Sequence, residues 1–265
     1  MSRIAAKFNE LKTQNKKANI GYLTAGDPTY DCFLAALKKL PENGVDILEV
    51  GMPFLDPAGD GKTIEKSSKR AVEAGMKIKD IFKAITQFRK SDDKTPVILM
   101  GYYNSVFHYG HEEFCAAASK SGVDGMLVVD LPPEEDEKLR TAAKKYDLDL
   151  IKLVALTSSS ERIKLISSNA SGFIYLVSIL GITGTKSAVI NEVESHIEKI
   201  RKATDLPIAV GFGIKTRDQV LEMKNTGADG IVVGSALIKV IEDNLESINK
   251  IPDLVAQKSQ ELFSA

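Results

Sequence analysis

Glu49 is the residue of this chain best placed for proton chemistry. It stands inside the apolar run VDILEVG (45–51), between Leu48 and Val50. A carboxyl held there is poorly solvated, and desolvation penalises its charged form. Such a group keeps a proton near neutral pH and can deliver it. The competing reading is a structural ion pair, for which Lys152 in another apolar run is the obvious partner. The loop after Glu49, MPFLDPAGDGKTIE (52–65), carries Asp56 and Asp60 among Pro53, Pro57, Gly59 and Gly61. A loop of that composition over an active face suits a lid. Folded back, it would set Asp60 across one pocket from Glu49, an acid and a base on two sides of a substrate. Asp60-Gly61 is equally a turn dipeptide.

A second cluster suits an oxyanion. Gly211-Phe212-Gly213 and Gly234-Ser235 each close an apolar run. Glycine lets backbone approach an anion, and Ser235 would open a short helix whose N–H groups point at it. Gly181-Ile182-Thr183-Gly184 offers a third set of backbone donors and a mobile flap. Tyr175 sits within GFIYLVS (172–178), where a buried hydroxyl needs a partner; pocket wall and core packing both fit. Asp130 ends VDGMLVVD (123–130) and equally shapes its loop. Lys152 raises a Schiff-base mechanism, though it falls early in its run. His108, His111 and His196 avoid the ends of the apolar runs, and their spacing is no metal site. The sequence holds no nucleophilic triad and no Walker or dinucleotide fingerprint in context. Nothing in it calls for a metal or a cofactor.

These groups need a scaffold that gathers strand ends. Eight short apolar runs recur: NIGYLTAG (19–26), VDILEVG (45–51), TPVILMGYY (95–103), VDGMLVVD (123–130), LDLIKLVA (148–155), GFIYLVS (172–178), LPIAVGFG (206–213) and DGIVVGS (229–235). They are apolar on both faces, the pattern of parallel strands buried on both sides. Helical stripes separate them: Leu34, Leu37 and Leu40; Ile78, Ile81 and Ile85; Val193, Ile197 and Ile200. Thr216 with Gln219, and Ser158 with Glu161, fit capping boxes. Gly44-Val45-Asp46, Gly122-Val123-Asp124 and Gly227-Ala228-Asp229 repeat one device, a glycine closing a helix and an Asp opening a strand. The fold expected is an α/β TIM barrel, (β/α)8, as a single domain over residues 1–265, with an extra helix at 2–15. A doubly wound open sheet is the runner-up. In such a barrel the active face lies at the C-terminal ends of the strands, where Glu49 and the glycine pairs fall, and the three Asp residues lie at the other end.

Composition excludes more than it assigns. Against 36 acidic residues stand 35 basic ones, so no electrostatic case exists for a nucleic-acid partner. No apolar run approaches the roughly 20 residues of a membrane helix, and Met1 to Lys17 carries no signal-peptide pattern. Cys32 and Cys115 read as small buried hydrophobes inside helices. A cytoplasmic, reducing setting is expected.

Several motifs then agree in order and spacing with one family. Glu49-Val50-Gly51-Met52-Pro53-Phe54-Leu55-Asp56-Pro57-Ala58-Gly59-Asp60-Gly61 closely resembles the signature of tryptophan synthase alpha chains. Tyr22 to Pro28, Gly101 to Asn104, Asp130 to Pro132, Gly181 to Gly184 and Gly211 to Ile214 fall in the order of that family's other motifs, over essentially the whole chain.

The resemblance implies cleavage of indole-3-glycerol phosphate to indole and glyceraldehyde 3-phosphate, with no cofactor in this chain. It implies Glu49 as proton donor to the indole ring carbon, Asp60 as partner of the indole N–H, and Tyr175 beside Glu49. Gly184, Gly213, Gly234 and Ser235 would hold the phosphate, while Tyr22, Met100, Leu127 and Phe212 would surround the indole. Asp56 and Thr183 would belong to two closing lids. It also implies a beta chain that carries pyridoxal phosphate and receives the indole, in an alpha2-beta2 tetramer, facing segments around Pro57, Asn104, Phe107 and Pro132. The chain departs from the family pattern at Leu55 (usually Ser), Gly59 (Ala), Lys62 (Pro), Glu65 (Gln), Ser105 (Pro) and Leu156 (Pro). None of these removes a catalytic group, and Gly59 is expected to loosen the lid. Two other readings remain: another phosphate-binding barrel such as a sugar-phosphate isomerase, and a catalytically weak barrel kept to activate a partner.

Overall fold

Each of the eight apolar runs forms a strand, and the strands close on themselves. The computed structural model describes residues 2–57, 59–178, 186–211 and 213–264, with backbone alone for 186–189. The strands are β1 (Ala18–Thr24), β2 (Ile47–Gly51), β3 (Val97–Gly101), β4 (Gly125–Val128), β5 (Asp149–Ala155), β6 (Ile174–Val177), β7 (Ile208–Gly211) and β8 (Gly230–Val233). All neighbours run parallel, and β8 pairs with β1 to complete a closed barrel. This settles the choice against an open sheet. Most strands are shorter than their apolar runs, because the terminal residues leave the ladder to begin loops.

The barrel has two cores, which is why its strands are apolar on both faces. Alternate residues point inward: Ile20, Ile47, Ile98, Leu127, Ile151, Phe173, Ala209 and Val232 fill the barrel. Their neighbours, among them Leu23, Leu48, Leu99, Met126, Leu150, Leu176, Val210 and Val233, point outward to the helices. The helices are α1 (Arg3–Thr13), α2 (Tyr30–Lys39), α3 (Lys62–Glu73), α4 (Ile78–Arg89), α5 (Tyr103–Tyr109), α6 (His111–Ser121), α7 (Glu137–Lys145), α8 (Ser160–Ser168), α9 (Lys186–Arg201), α10 (Arg217–Lys224), α11 (Ser235–Glu242) and α12 (Ile251–Phe263). The expected extra helix is α1. Its Ile4, Phe8 and Leu11 pack into the inner core, with the rings of Phe8 and Phe173 5.6 Å apart. It therefore plugs the N-terminal end of the barrel and leaves the other end open.

The helix ends follow their sequence signals with one correction. Thr216 and Gln219 form the expected capping box of α10. Ser158 does not cap α8: Ser159 does, accepting from the Arg162 N–H. The Ser158 hydroxyl accepts from the Ala155 N–H instead, so it shapes the turn that leaves β5.

The Gly-X-Asp repeat has a common structural meaning. Gly44, Gly122 and Gly227 have φ of 92°, 93° and 87°, the left-handed conformation that glycine adopts without penalty. Each following Asp accepts the N–H at the start of the preceding strand. Asp46 binds Asn19, Asp124 binds Val97 and Asp229 binds Ile208, at 2.9, 2.8 and 2.8 Å. Asp124 also takes Arg3 and Arg89, and Asp229 takes Arg201. The carboxylates satisfy backbone donors that a parallel sheet leaves open at its edge. They belong to the closed end of the barrel, as expected.

Candidate active site

At the open end a cavity of about 400 Å³ is lined by Tyr22, Glu49, Asp60, Met100, Tyr175, Gly213, Val232, Gly234 and Ser235, with Gly61 to Ile64 and Ile214-Lys215 at its sides. Both expected clusters, the paired carboxylates and the glycine pairs after β7 and β8, thus reach one space. A larger cleft of about 670 Å³ lies at the closed end against α1, where Arg201 and Asp229 pair across it.

Strand register places Glu49. Inward positions on β2 alternate, so Ile47 fills the barrel core and Glu49, two residues on, reaches the cavity floor beside its β1 partner Tyr22. Glu49 is 2 % exposed. Among the described residues no ion pair reaches it. Burial pushes its carboxyl up to about 8, and the nearby Asp60 charge adds to the effect. The pairing with Lys152 is not formed. Lys152 points outward from β5 and lies 2.6 Å from the buried carboxylate of Asp136, which Arg140 also binds. An ammonium committed in this way, and absent from the cavity lining, also removes the Schiff-base reading.

Asp60 is half-buried, and burial pushes it up to about 6. A hydrogen bond from the Tyr102 hydroxyl opposes that rise. Its backbone is held in a turn, with Asp60 N–H donating to the Pro57 carbonyl at 3.0 Å. Asp60 thus sits in a turn and also lines the cavity. The expectation that Gly59 loosens the loop meets an opposing contact. The Gly59 N–H donates to Tyr102 at 3.0 Å, and a Cβ there would meet Val129 at 3.1 Å.

Two tyrosines wall the cavity. Tyr175 and Tyr22 are each 6 % exposed, and burial raises both phenols, with Glu49 and Asp60 adding to it. Each needs a glycine beside it. A Cβ on Gly211 would lie 2.2 Å from the Tyr175 hydroxyl, and one on Gly51 2.0 Å from that of Tyr22. Tyr22 also starts a chain of hydroxyls with a fixed direction. Ser67 donates to the Ile64 carbonyl at 2.7 Å, so it accepts from Thr24 at 2.6 Å, and Thr24 accepts from Tyr22 at 3.2 Å. Together with the bidentate pair of Arg70 and buried Asp27, this ties α3 to β1. The first turn of α3, which lines the cavity, is therefore fixed to the barrel wall.

On the opposite side, Ser235 opens α11, so free N–H groups of its first turn face the cavity beside Gly213 and Gly234. Among the described residues, Leu127 is the one expected pocket residue placed elsewhere: it is 1 % exposed in the inner core and does not line the cavity. Thr183, Gly184 and Phe212 lie outside the described residues. His108 lies within α5, His111 opens α6, and His196 bonds the Glu192 carbonyl within α9. No cluster of three or more metal-ligating side chains occurs among the described residues. Asp130 shapes its loop, accepting the Tyr103 N–H at 2.7 Å. Reading the sequence missed Tyr102, Lys62 to Ile64 and Lys215. The first carries a signal only in hindsight, as an aromatic just past β3 on the same face as Met100.

Known proteins resemble this chain along its length. The family described as "Tryptophan synthase alpha chain" matches residues 8–264. A tryptophan synthase alpha chain from Gluconacetobacter diazotrophicus is 47 % identical over 93 % of this chain and 90 % of its own. Among solved structures, tryptophan synthase subunit alpha from Legionella pneumophila superposes with a TM-score of 0.88 at 35 % identity, covering 99 % of this chain and 98 % of that one. A chain of the tryptophan synthase complex from Pyrococcus furiosus gives 0.83 at 36 % identity, covering 94 % and 98 %.

Proposed function

The chain belongs to the tryptophan synthase alpha chain family, a lyase of indole-3-glycerol phosphate, and from that premise we propose that Glu49 and Asp60 carry out the cleavage. The observation that supports this most is the pair itself: two carboxyls in one cavity, one pushed up to about 8 and one to about 6. Near neutral pH the first holds its proton and the second is ionised, the division of labour that acid–base catalysis needs.

Glu49 gives its proton to the indole ring carbon that bears the glycerol phosphate. Asp60 accepts the hydrogen bond, or the proton, of the indole N–H as the ring becomes the tautomer with a tetrahedral carbon. The hydroxyl on the adjacent side-chain carbon then returns its proton to Glu49. Its oxygen becomes the aldehyde oxygen of glyceraldehyde 3-phosphate, the carbon–carbon bond breaks, and the bonding electrons restore the aromatic ring as the ring nitrogen recovers any proton that Asp60 took. Atoms, charge and the states of Glu49 and Asp60 all balance at the end of a turnover.

Gly213, Gly234 and Ser235, with the N–H groups opening α11, hold the phosphate; Gly184 joins them by resemblance. Tyr22 and Met100 flank the ring and Tyr175 packs beside Glu49, with Leu127 below them in the barrel core. Thr183 and Phe212 keep the roles that the family resemblance implies. The chain uses no cofactor of its own in this reading. Its partner is a beta chain with pyridoxal phosphate, in an alpha2-beta2 assembly in the cytoplasm. The exposed Leu55 and Phe107 lie on segments that such a partner would cover. The test is indole release from indole-3-glycerol phosphate by the purified chain, with and without a beta chain. We expect slow release alone and faster release together; no indole under either condition would reject the reading.

A further inference from the structure

Tyr102 lies just after β3, outside the set of residues assigned above. It is 5 % exposed, and its single side chain makes two contacts with the β2–α3 loop. Its ring stacks on Phe54, with centroids 5.3 Å apart and planes 22° from parallel. Its hydroxyl oxygen accepts the Gly59 N–H at 3.0 Å, one residue before Asp60, whose ionised form the same hydroxyl favours. One phenol thus holds the loop by its face and its lone pair, at two points ahead of Asp60.

We propose that Tyr102 is the positioning residue for Asp60, fixing the loop against the barrel mouth and aiming the carboxylate into the cavity. This rests on the reading of Asp60 as a catalytic carboxylate. Asp60 follows a glycine in a loop, and its own turn bond to Pro57 fixes the backbone but not the side chain. The hold of the Tyr102 hydroxyl on the adjoining Gly59 N–H limits where that side chain can point. The nearby hydroxyl also favours the ionised carboxylate, the form that receives the indole N–H. The other groups facing Asp60 are Glu49 from β2, Tyr22 from β1 and Tyr175 from β6, with Lys62 of α3 and Lys215 after β7 on the cavity rim. Glu49 is protonated at the pH of interest, both tyrosines are neutral, and neither lysine forms an ion pair among the described residues. Tyr102 is accordingly the neutral polar group that favours the Asp60 charge.

The experiment compares the full-length wild type, Tyr102→Phe and Asp60→Asn, assaying indole release from indole-3-glycerol phosphate across pH. Phenylalanine keeps the stack on Phe54, so the fold survives, which the circular dichroism spectrum and melting temperature check. The acid limb of kcat/KM for Tyr102→Phe is expected about one pH unit above that of the wild type, the scale of one hydrogen bond to a carboxylate. Activity should recover toward the wild-type value on the alkaline side of that limb. An unmoved limb, whether rates are normal or uniformly reduced, overturns the proposal and leaves Tyr102 a packing residue. Asp60→Asn separates the two claims. If it turns over normally, the assignment of Asp60 has failed; if it is inactive while Tyr102→Phe titrates like wild type, only the role of Tyr102 has failed.

Discussion

Glu49 and Asp124 are buried to nearly the same degree, 2 % and 5 % exposed, at opposite ends of one barrel. Their surroundings differ completely. Asp124 receives two guanidinium groups, from Arg3 and Arg89, and the Val97 N–H. Glu49 faces apolar walls, two phenols and a second acid, with no ion pair among the described residues. Burial alone therefore says nothing of a carboxylate's task. The balance of charge around it does: a compensated anion joins strands, and an uncompensated acid stores a proton.

The largest effect that would sharpen this contrast is on chemistry. Glu49→Gln is expected to lower kcat by about 10²–10⁴-fold, the range of a lost general acid, while KM barely changes and the variant stays folded. Steady-state kinetics with indole-3-glycerol phosphate check it; near-normal kcat would make Glu49 structural. Next in size comes the mirror experiment. Asp124→Ala strands Arg89 and the Val97 N–H, and should cost about 3 kcal/mol of stability in urea unfolding, with kcat per folded molecule unchanged. Lost turnover in a stable Asp124→Ala protein would break the comparison. The smallest effect is in pH dependence. The Glu49 carboxyl titrates near 8 in the folded chain and near its ordinary 4.5 when unfolded. Between those values the folded state binds the extra proton, so this group's stabilising share is full below 4.5 and is lost as pH rises through 8. Melting curves of Glu49→Gln and wild type should thus diverge across that window, the variant gaining as pH rises. Parallel curves would mean that Glu49 is ionised in the fold.

What could be read from residues alone follows the same division. The eight strands were legible because burial on two faces leaves unbroken apolar runs, and α1 because its stripe precedes the first of them. Glu49 stood out because a charge inside such a run is unusual. Asp60 did not: nothing local tells a turn aspartate from a lid carboxylate, and only the family motif raised it. The competing Lys152 pairing could not be dismissed locally because Asp136, its partner, belongs to a different loop, and strand parity sends Lys152 outward rather than toward Glu49. The α8 cap was misplaced by one residue because Ser158, Ser159 and Ser160 offer identical chemistry, and the turn from β5 decides which one faces the helix. Tyr102 escaped notice since its contacts run to a loop 43 residues earlier, which no local pattern encodes. Lys62 to Ile64 were missed for a related reason: the tether from Tyr22 through Ser67 decides that this helical turn faces inward.

The plug formed by α1 has a consequence for how the chain comes to be. Ser2 and Arg3 bind Asp149 and Asp124, partners 147 and 121 positions later, and Phe8 rests on Phe173. At translation rates of about 5–20 residues per second, the first helix leaves the ribosome many seconds before its seat exists. During that interval Ile4, Phe8 and Leu11 have nothing to cover them, and a chaperone that grips a nascent apolar stripe would find it upstream of every strand. A helix made before every strand thus waits for residues as late as Phe173 before it can dock, and it closes the barrel from below.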